Sequence, residues 1–98
     1  MPKTSIVVVN FNGEALLRRN LPYMATQDCE DFDIIVVDNG STDASLSLLE
    51  DQFPAVRVFK LKTNVGFAAG VNHAIERSDS EYIATLNNDA RPNIDWLS

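Results

Sequence analysis

Continuous apolar runs and helical stripes alternate along the whole chain. Ser5-Ile6-Val7-Val8-Val9 is an unbroken, β-branched run, the pattern of a strand covered on both faces. Asn10-Phe11-Asn12-Gly13 interrupts it with turn chemistry, and Leu17, Leu21 and Met24 then recur at helical spacing, which predicts a helix from Glu14 to about Gln27. Pro22 falls inside that pattern and is expected to kink or restart the helix. Asp33-Ile34-Ile35-Val36-Val37 is a second buried-type strand, closed by Asp38-Asn39-Gly40-Ser41-Thr42-Asp43. Ser41 or Thr42 can cap the helix that follows, Asp43 favours its positive end, and Leu46, Leu49 and Phe53 are its expected buried stripe.

The later elements read differently. Ala55 to Leu61 carries Arg57 and Lys60 between its apolar residues, so this strand is placed at a sheet edge. Asn64 to Gly70 forms a turn that enters a helix with the stripe Phe67, Val71, Ala74 and Ile75. Glu81 to Leu86 is a fourth strand with Asn87-Asn88-Asp89 at its carboxyl end, and Arg91-Pro92-Asn93 opens a further helix at Ile94 to Leu97. Strands joined by helical crossovers imply an α/β fold with a parallel sheet, right-handed connections and helices on both faces. With the two most hydrophobic strands central, the expected order is 3-2-1-4, and its switch point lies between strands 1 and 4. Ligands bind such sheets at the carboxyl ends beside that point. The clusters Asn10 to Asn12, Asp38 to Asp43 and Asn87 to Asn88-Asp89 all fall there.

Composition narrows the function. The 98 residues make one domain, 45% hydrophobic and 22% charged, as in ordinary soluble proteins. Eight Lys and Arg against 14 Asp and Glu leave a net charge of −6, which argues against nucleic acid as a partner. An anionic small ligand remains compatible if a metal or local dipoles carry the positive charge. The lone Cys29 can form neither an internal disulfide nor a zinc cluster and is expected at a loop edge. The run Ile6 to Val9 is too short for the core of a signal peptide, so the expected location is cytoplasmic, or peripheral at the inner face of a membrane for a longer protein.

Each polar cluster has two readings on local chemistry. Asn87-Asn88-Asp89 makes either a plain turn or a site for a hard cation, since Mg²⁺ or Mn²⁺ uses one or two carboxylates and completes its shell with water and substrate phosphates. Asp38 either accepts backbone N–H groups in an Asx-turn or, with Asn39, faces a ligand; both can hold together. Phe11 either joins the core or stacks on a flat base. Gly66 and Gly70 frame a helix start suited to phosphate, without the G-x-G-x-x-G fingerprint or a P-loop lysine. His73 has no second ligand at metal spacing and is placed on the helix surface.

Four segments together resemble the nucleotide-binding, N-terminal portion of family 2 glycosyltransferases of the GT-A fold. They are Ser5-Ile-Val-Val-Val-Asn-Phe-Asn12, Ile35-Val-Val-Asp-Asn-Gly-Ser-Thr-Asp43, Asn64-Val-Gly-Phe-Ala-Ala-Gly-Val-Asn72 and Glu81-Tyr-Ile-Ala-Thr-Leu-Asn-Asn-Asp89. The resemblance implies an inverting transferase that moves a sugar from a nucleotide-diphosphate donor, UDP- or dTDP-linked, to a glycan or lipid-linked acceptor. It implies that Asn10 and Phe11 line the base and ribose pocket, that Asp38 and Asn39 hold the base, and that Asn64 and Gly66 pass near the base and diphosphate. Asn87 would belong to the nucleotide-sugar site, Asn88 would face the ribose or donor sugar, and Asp89 would bind a divalent cation, Mg or Mn. Asn39 and Asn87-Asn88 replace carboxylates common in the family, a variation similar to its rhamnosyltransferase-like branch.

Family members usually run well over a hundred residues further, through an acceptor subdomain that carries the general base. No residue here matches that base, so residues 1–98 are expected to be the donor-binding part of a longer protein, inactive alone. An unpaired edge on the fourth strand would favour self-association. A non-catalytic nucleotide- or partner-binding module is the alternative. A phosphoaspartyl hydrolase is disfavoured because Asn39-Gly40 supplies no second carboxylate beside Asp38. A dinucleotide oxidoreductase is disfavoured by the missing glycine fingerprint.

Overall fold

The computed structural model describes residues 3–28, 31–93, 96 and 97. In chain order the elements are β1 (Thr4–Asn10), α1 (Glu14–Ala25), β2 (Phe32–Asn39), α2 (Ser45–Gln52), β3 (Arg57–Leu61), α3 (Phe67–Arg77) and β4 (Tyr82–Asn87). The sheet is parallel in order β3-β2-β1-β4, as the strand hydrophobicity predicts. β1 and β2 are central because their β-branched runs need cover on both faces. β3, with Arg57 and Lys60 exposed, takes one edge.

Side-chain alternation sorts the core into two layers. Ile6, Val8, Ile34 and Val36 face α1 and α2, where they pack with Leu17, Leu21, Met24, Leu48 and Leu49. Val7, Ile35 and Val37 face α3 and meet Ala74. Register places Asn10 opposite Asp38 and Val9 opposite Asn87, so three strands end their ladders at one level.

Several local expectations change. α1 runs through Pro22 as one helix and does not restart. The missing N–H is tolerated because this face is exposed, leaving the unbonded carbonyl of Arg18 to water. The buried residues of α2 are Ser45, Leu48 and Leu49, while Leu46 is only half-buried. Neither Ser41 nor Thr42 caps that helix, whose N-cap is Ala44. Asp43 instead accepts the Ser45 N–H at 3.0 Å.

α3 departs furthest from its expected stripe. Its buried positions are Gly70 and Ala74, while Phe67 and Ile75 are about half exposed, at 51% and 45%. The reason is the closeness of helix to sheet. A Cβ on Gly70 would stand 3.2 Å from both Val9 methyls, so only small residues fit under the helix axis and larger ones turn to its flanks. His73 is half-buried there, its ring edge-on to Phe59 at 5.7 Å between centroids. Among the described residues no helix is long and apolar enough to cross a membrane. Cys29 and the helix expected around Ile94 and Asp95 lie outside the described residues.

Candidate functional site

At the carboxyl ends of β1, β2 and β4 the polar side chains hold one another. Asn10 is fully buried. Its Nδ2 donates to Asp38 Oδ1 at 3.1 Å and to Ser41 Oγ at 3.3 Å, and its Oδ1 accepts from Asn88 Nδ2 at 3.0 Å. One amide therefore ties together the ends of three strands. Asp38 is equally buried and takes the Ser41 N–H on Oδ2 at 3.0 Å and the Ser41 hydroxyl on Oδ1 at 2.7 Å. This is the Asx-turn chemistry expected of it, and it satisfies a carboxylate that could not stand unpaired in the core. Gly40 completes the turn at φ +80, with Thr63 Cα only 2.9 Å from where a Cβ would lie.

Asn39 turns to the other side of the sheet. It accepts the Val65 N–H at 2.9 Å and donates to the Gly66 carbonyl at 3.1 Å, fastening the loop before α3 to the end of β2. Asn64 Oδ1 in turn accepts the Gly66 N–H at 2.9 Å. Side chains at Asn10, Asp38 and Asn39 thus shape the loops from inside. Of the residues expected at the site, those that reach solvent are Phe11, 48% exposed, with Asn64, Gly66, Asn87 and Asp89; Asn88 is half-buried. Phe11 is half exposed and lies outside the core, which sets aside the first of its two readings on local chemistry.

Three further residues complete the frame. Asn12, at φ +50, accepts the N–H groups of Thr42 at 2.7 Å and Asp43 at 3.2 Å. Gly13 is buried against the Asn10–Asn88 pair. Asn20, 2% exposed on α1, donates to the Asn88 carbonyl at 3.0 Å. Asn12 and Gly13 lie in the turn that the sequence marks after the first strand; Asn20 had no local signal, because its partners are far away in sequence.

Asp43 links two helix starts, accepting the Glu14 N–H at 3.1 Å on one oxygen and the Ser45 N–H at 3.0 Å on the other. Burial works to raise its pKa, but the hydrogen bonds from the Ser45 hydroxyl and from the backbone of Ser45, Glu14 and Asp43 itself outweigh it. The carboxyl is held below its ordinary value.

For a divalent cation the available donors are limited. Among the described residues no three His, Cys, Asp or Glu side chains gather to form a metal site. Asp89 offers one exposed carboxylate beyond β4, beside the amides of Asn87 and Asn88. Such a set does not suit a cage built from protein alone. It does suit Mg²⁺ or Mn²⁺ that keeps water and substrate phosphates as its other ligands. A separate hollow of about 350 Å³, lined by Phe32, Asp33, Phe53 and Val56 among others, lies at the opposite, amino end of the sheet and takes no part here.

Comparison with known proteins agrees with this architecture. An uncharacterized glycosyltransferase of Haemophilus influenzae is 32% identical over 92 residues, covering 91% of this chain and 37% of that protein. A Campylobacter jejuni GalNAc(5)-diNAcBac-PP-undecaprenol beta-1,3-glucosyltransferase is 28% identical, covering 91% of this chain and 30% of its own length. The chain therefore spans about a third of these relatives. Among solved structures, S. aureus TarS 1-349 in complex with UDP superposes with a TM-score of 0.86 at 29% identity, over 97% of this chain and 30% of that one. The mannosyltransferase PcManGT of Pyrobaculum calidifontis, in complex with GDP-Man and Mn²⁺, shares the fold with a TM-score of 0.83 at 24% identity, over 91% of this chain and 28% of that one. The sequence model of the family described as "Glycosyl transferase family 2" matches residues 5–98, and the chain belongs to that family.

Proposed function

We propose that residues 1–98 are the donor-binding part of a glycosyltransferase and bind a nucleotide-diphosphate sugar across the carboxyl ends of β1, β2 and β4. The observation that carries this reading is the division of labour at those ends. Asn10, Asp38 and Asn39 are buried and hydrogen-bonded within the frame, while Phe11, Asn64, Gly66, Asn87 and Asp89 are presented outward beside the switch point between β1 and β4. Phe11 stacks on the base. Asp38 and Asn39 define the wall on which the base edge rests, and Asn64 and Gly66 bring the loop before α3 toward the diphosphate. Asn88 faces the ribose or donor sugar, with Asn87 beside it in the same site. Asp89 holds the divalent cation, Mg or Mn; when bound, that ion neutralises the diphosphate and stabilises it as a leaving group.

The donor is UDP- or dTDP-linked, and the UDP complex of TarS supports the first. Transfer proceeds with inversion to a hydroxyl on a glycan or lipid-linked acceptor. The general base that deprotonates this hydroxyl comes from outside these residues, so the 98-residue chain binds donor without turnover. The longer protein works in the cytoplasm or at the inner face of a membrane. An open β4 edge favours self-association of the isolated chain.

Calorimetric titration with UDP and with dTDP, each with and without Mn²⁺, tests the reading on the wild-type chain and on Asp89→Ala. We expect binding that Mn²⁺ strengthens at least tenfold, a gain of about 1.4 kcal/mol, and that Asp89→Ala returns to the metal-free level. A folded sample that binds neither nucleotide, or a variant that keeps the full Mn²⁺ effect, refutes it.

A further inference from the structure

We infer that Asn20, in the middle of α1, is a positioning residue for Asp89; the inference rests on the donor-site reading above. Its single amide grips the chain on both sides of that carboxylate. Nδ2 donates to the Asn88 carbonyl at 3.0 Å, and Oδ1 accepts from Arg91 Nε at 2.9 Å. Chemistry fixes the orientation. A reversed amide would set N–H against N–H at Arg91 and oxygen against oxygen at Asn88.

Asp89 lies in the short turn between these two grips, which is closed by the Ala90 N–H on the Asn87 carbonyl at 3.1 Å. A second hold comes from β1, through Asn88 Nδ2 on Asn10 Oδ1. Arg91 is also steadied from outside, its guanidinium 5.1 Å from the Tyr23 ring centroid. The turn therefore has little freedom except at its tip, where the Asp89 carboxylate meets solvent.

Burial makes the grip consequential. Asn20 is 2% exposed, so neither of its bonds can be exchanged for water without opening the packing of α1 on the sheet. Just past the C-cap of α1, Gln27 makes a similar hold on the chain beyond. Its Nε2 donates to the Asn93 carbonyl at 2.9 Å, and its Oε1 accepts the Leu97 N–H at 3.0 Å. Gln27 is a natural control, being the same chemistry on the same segment but further from Asp89. A cation held by one carboxylate depends on how precisely that carboxylate is aimed, and loss of such supporting bonds typically weakens metal binding 10- to 100-fold.

The experiment compares the wild-type chain with Asn20→Ala, Asn20→Asp, Arg91→Ala and Gln27→Ala. UDP is titrated with and without Mn²⁺, and amide hydrogen exchange is followed at residues 88–91. Asn20→Ala should lose about tenfold in Mn²⁺-dependent UDP affinity, keep its metal-free affinity within about twofold, and exchange faster at 88–91 than at β1 or β2. Asn20→Asp keeps the acceptor for Arg91 but lacks the donor for Asn88, so it should also lose Mn²⁺ dependence. Arg91→Ala removes one grip without touching the core and should show a smaller loss of the same kind, which covers the case that Asn20→Ala does not fold. Gln27→Ala should lose stability without losing Mn²⁺ dependence.

An Asn20→Ala or Arg91→Ala chain with unchanged Mn²⁺ dependence overturns the inference, as does an equal loss in Gln27→Ala. If the wild type itself binds no UDP, the donor-site reading fails separately, and exchange decides the clamp. Faster exchange confined to 88–91 in Asn20→Ala upholds it, and unchanged exchange overturns it.

Discussion

Substituting alanine for Gly13 should damage this fold out of proportion to the one methyl added. A Cβ there would stand 2.3 Å from Asn88 Nδ2 and 2.4 Å from Asn10 Oδ1. Both distances are about 1 Å inside the 3.4 Å at which ordinary contact begins. Side-chain ends often move aside cheaply, but Asn10 cannot. It is fully buried, and its Nδ2 is already engaged by Asp38 and Ser41. The methyl must therefore break the 3.0 Å bond from Asn88 to Asn10 or push α1 away from the sheet. Overpacking costs about 1–3 kcal/mol, and an orphaned buried amide oxygen costs a further ~1–3 kcal/mol. Gly13 sits at φ −107 and ψ 35, which alanine can adopt, so lower entropy in the unfolded chain returns about 0.4–1 kcal/mol. The net loss expected is about 1–5.5 kcal/mol, centred near about 3 kcal/mol. In a chain of this size that centre lowers Tm by roughly 12–24 °C, well within reach of thermal or urea denaturation followed by circular dichroism. Adding Asn88→Ala to Gly13→Ala should relieve part of the collision, making the double variant clearly less than additive. A Gly13→Ala chain within about 0.5 kcal/mol of wild type would show that the strand-end network yields easily, and the reasoning would fail.

Two further outcomes follow from the same geometry. Asp43→Asn should cost about 0.5–1 kcal/mol at neutral pH, the low end for a capping carboxylate because the side chain is exposed and screened. Since the folded-state pKa lies below the ordinary value of 3.8, this contribution is present above that value and disappears as pH falls through the lower, folded one. Urea midpoints of wild type and Asp43→Asn should accordingly converge at acid pH, and a gap that stays constant would contradict the linkage. Phe11→Ala should leave stability within about 0.5 kcal/mol because the ring is outside the core, while UDP affinity falls by about 1–3 kcal/mol, the value of a lost base stack. Unchanged titration curves would remove Phe11 from the site.

The order of elements, the parallel sheet and its central pair were legible in the chain because hydrophobic periodicity is a local property. A run such as Ile6 to Val9 specifies a doubly covered strand wherever it falls, and the charges of Arg57 and Lys60 specify an edge. Polar clusters at strand ends were legible for the same reason, since each follows directly from where its strand stops. Which members of a cluster face inward was not. Asn10, Asn20 and Asn88 find one another across 68 to 78 residues, and only the joint register of β1 and β4 with the seat of α1 brings them within hydrogen-bond reach. The α3 stripe was misread for a related reason. Amphipathic spacing identifies the apolar positions, Phe67, Val71, Ala74 and Ile75 alike, but the gap between helix and sheet decides which of them fit, and at Gly70 even a methyl would stand a tight 3.2 Å from the Val9 methyls. Periodicity thus determined the scaffold, while close approach and long-range pairing, which exist only once the chain is folded, decided which residues of the strand ends are left exposed to solvent.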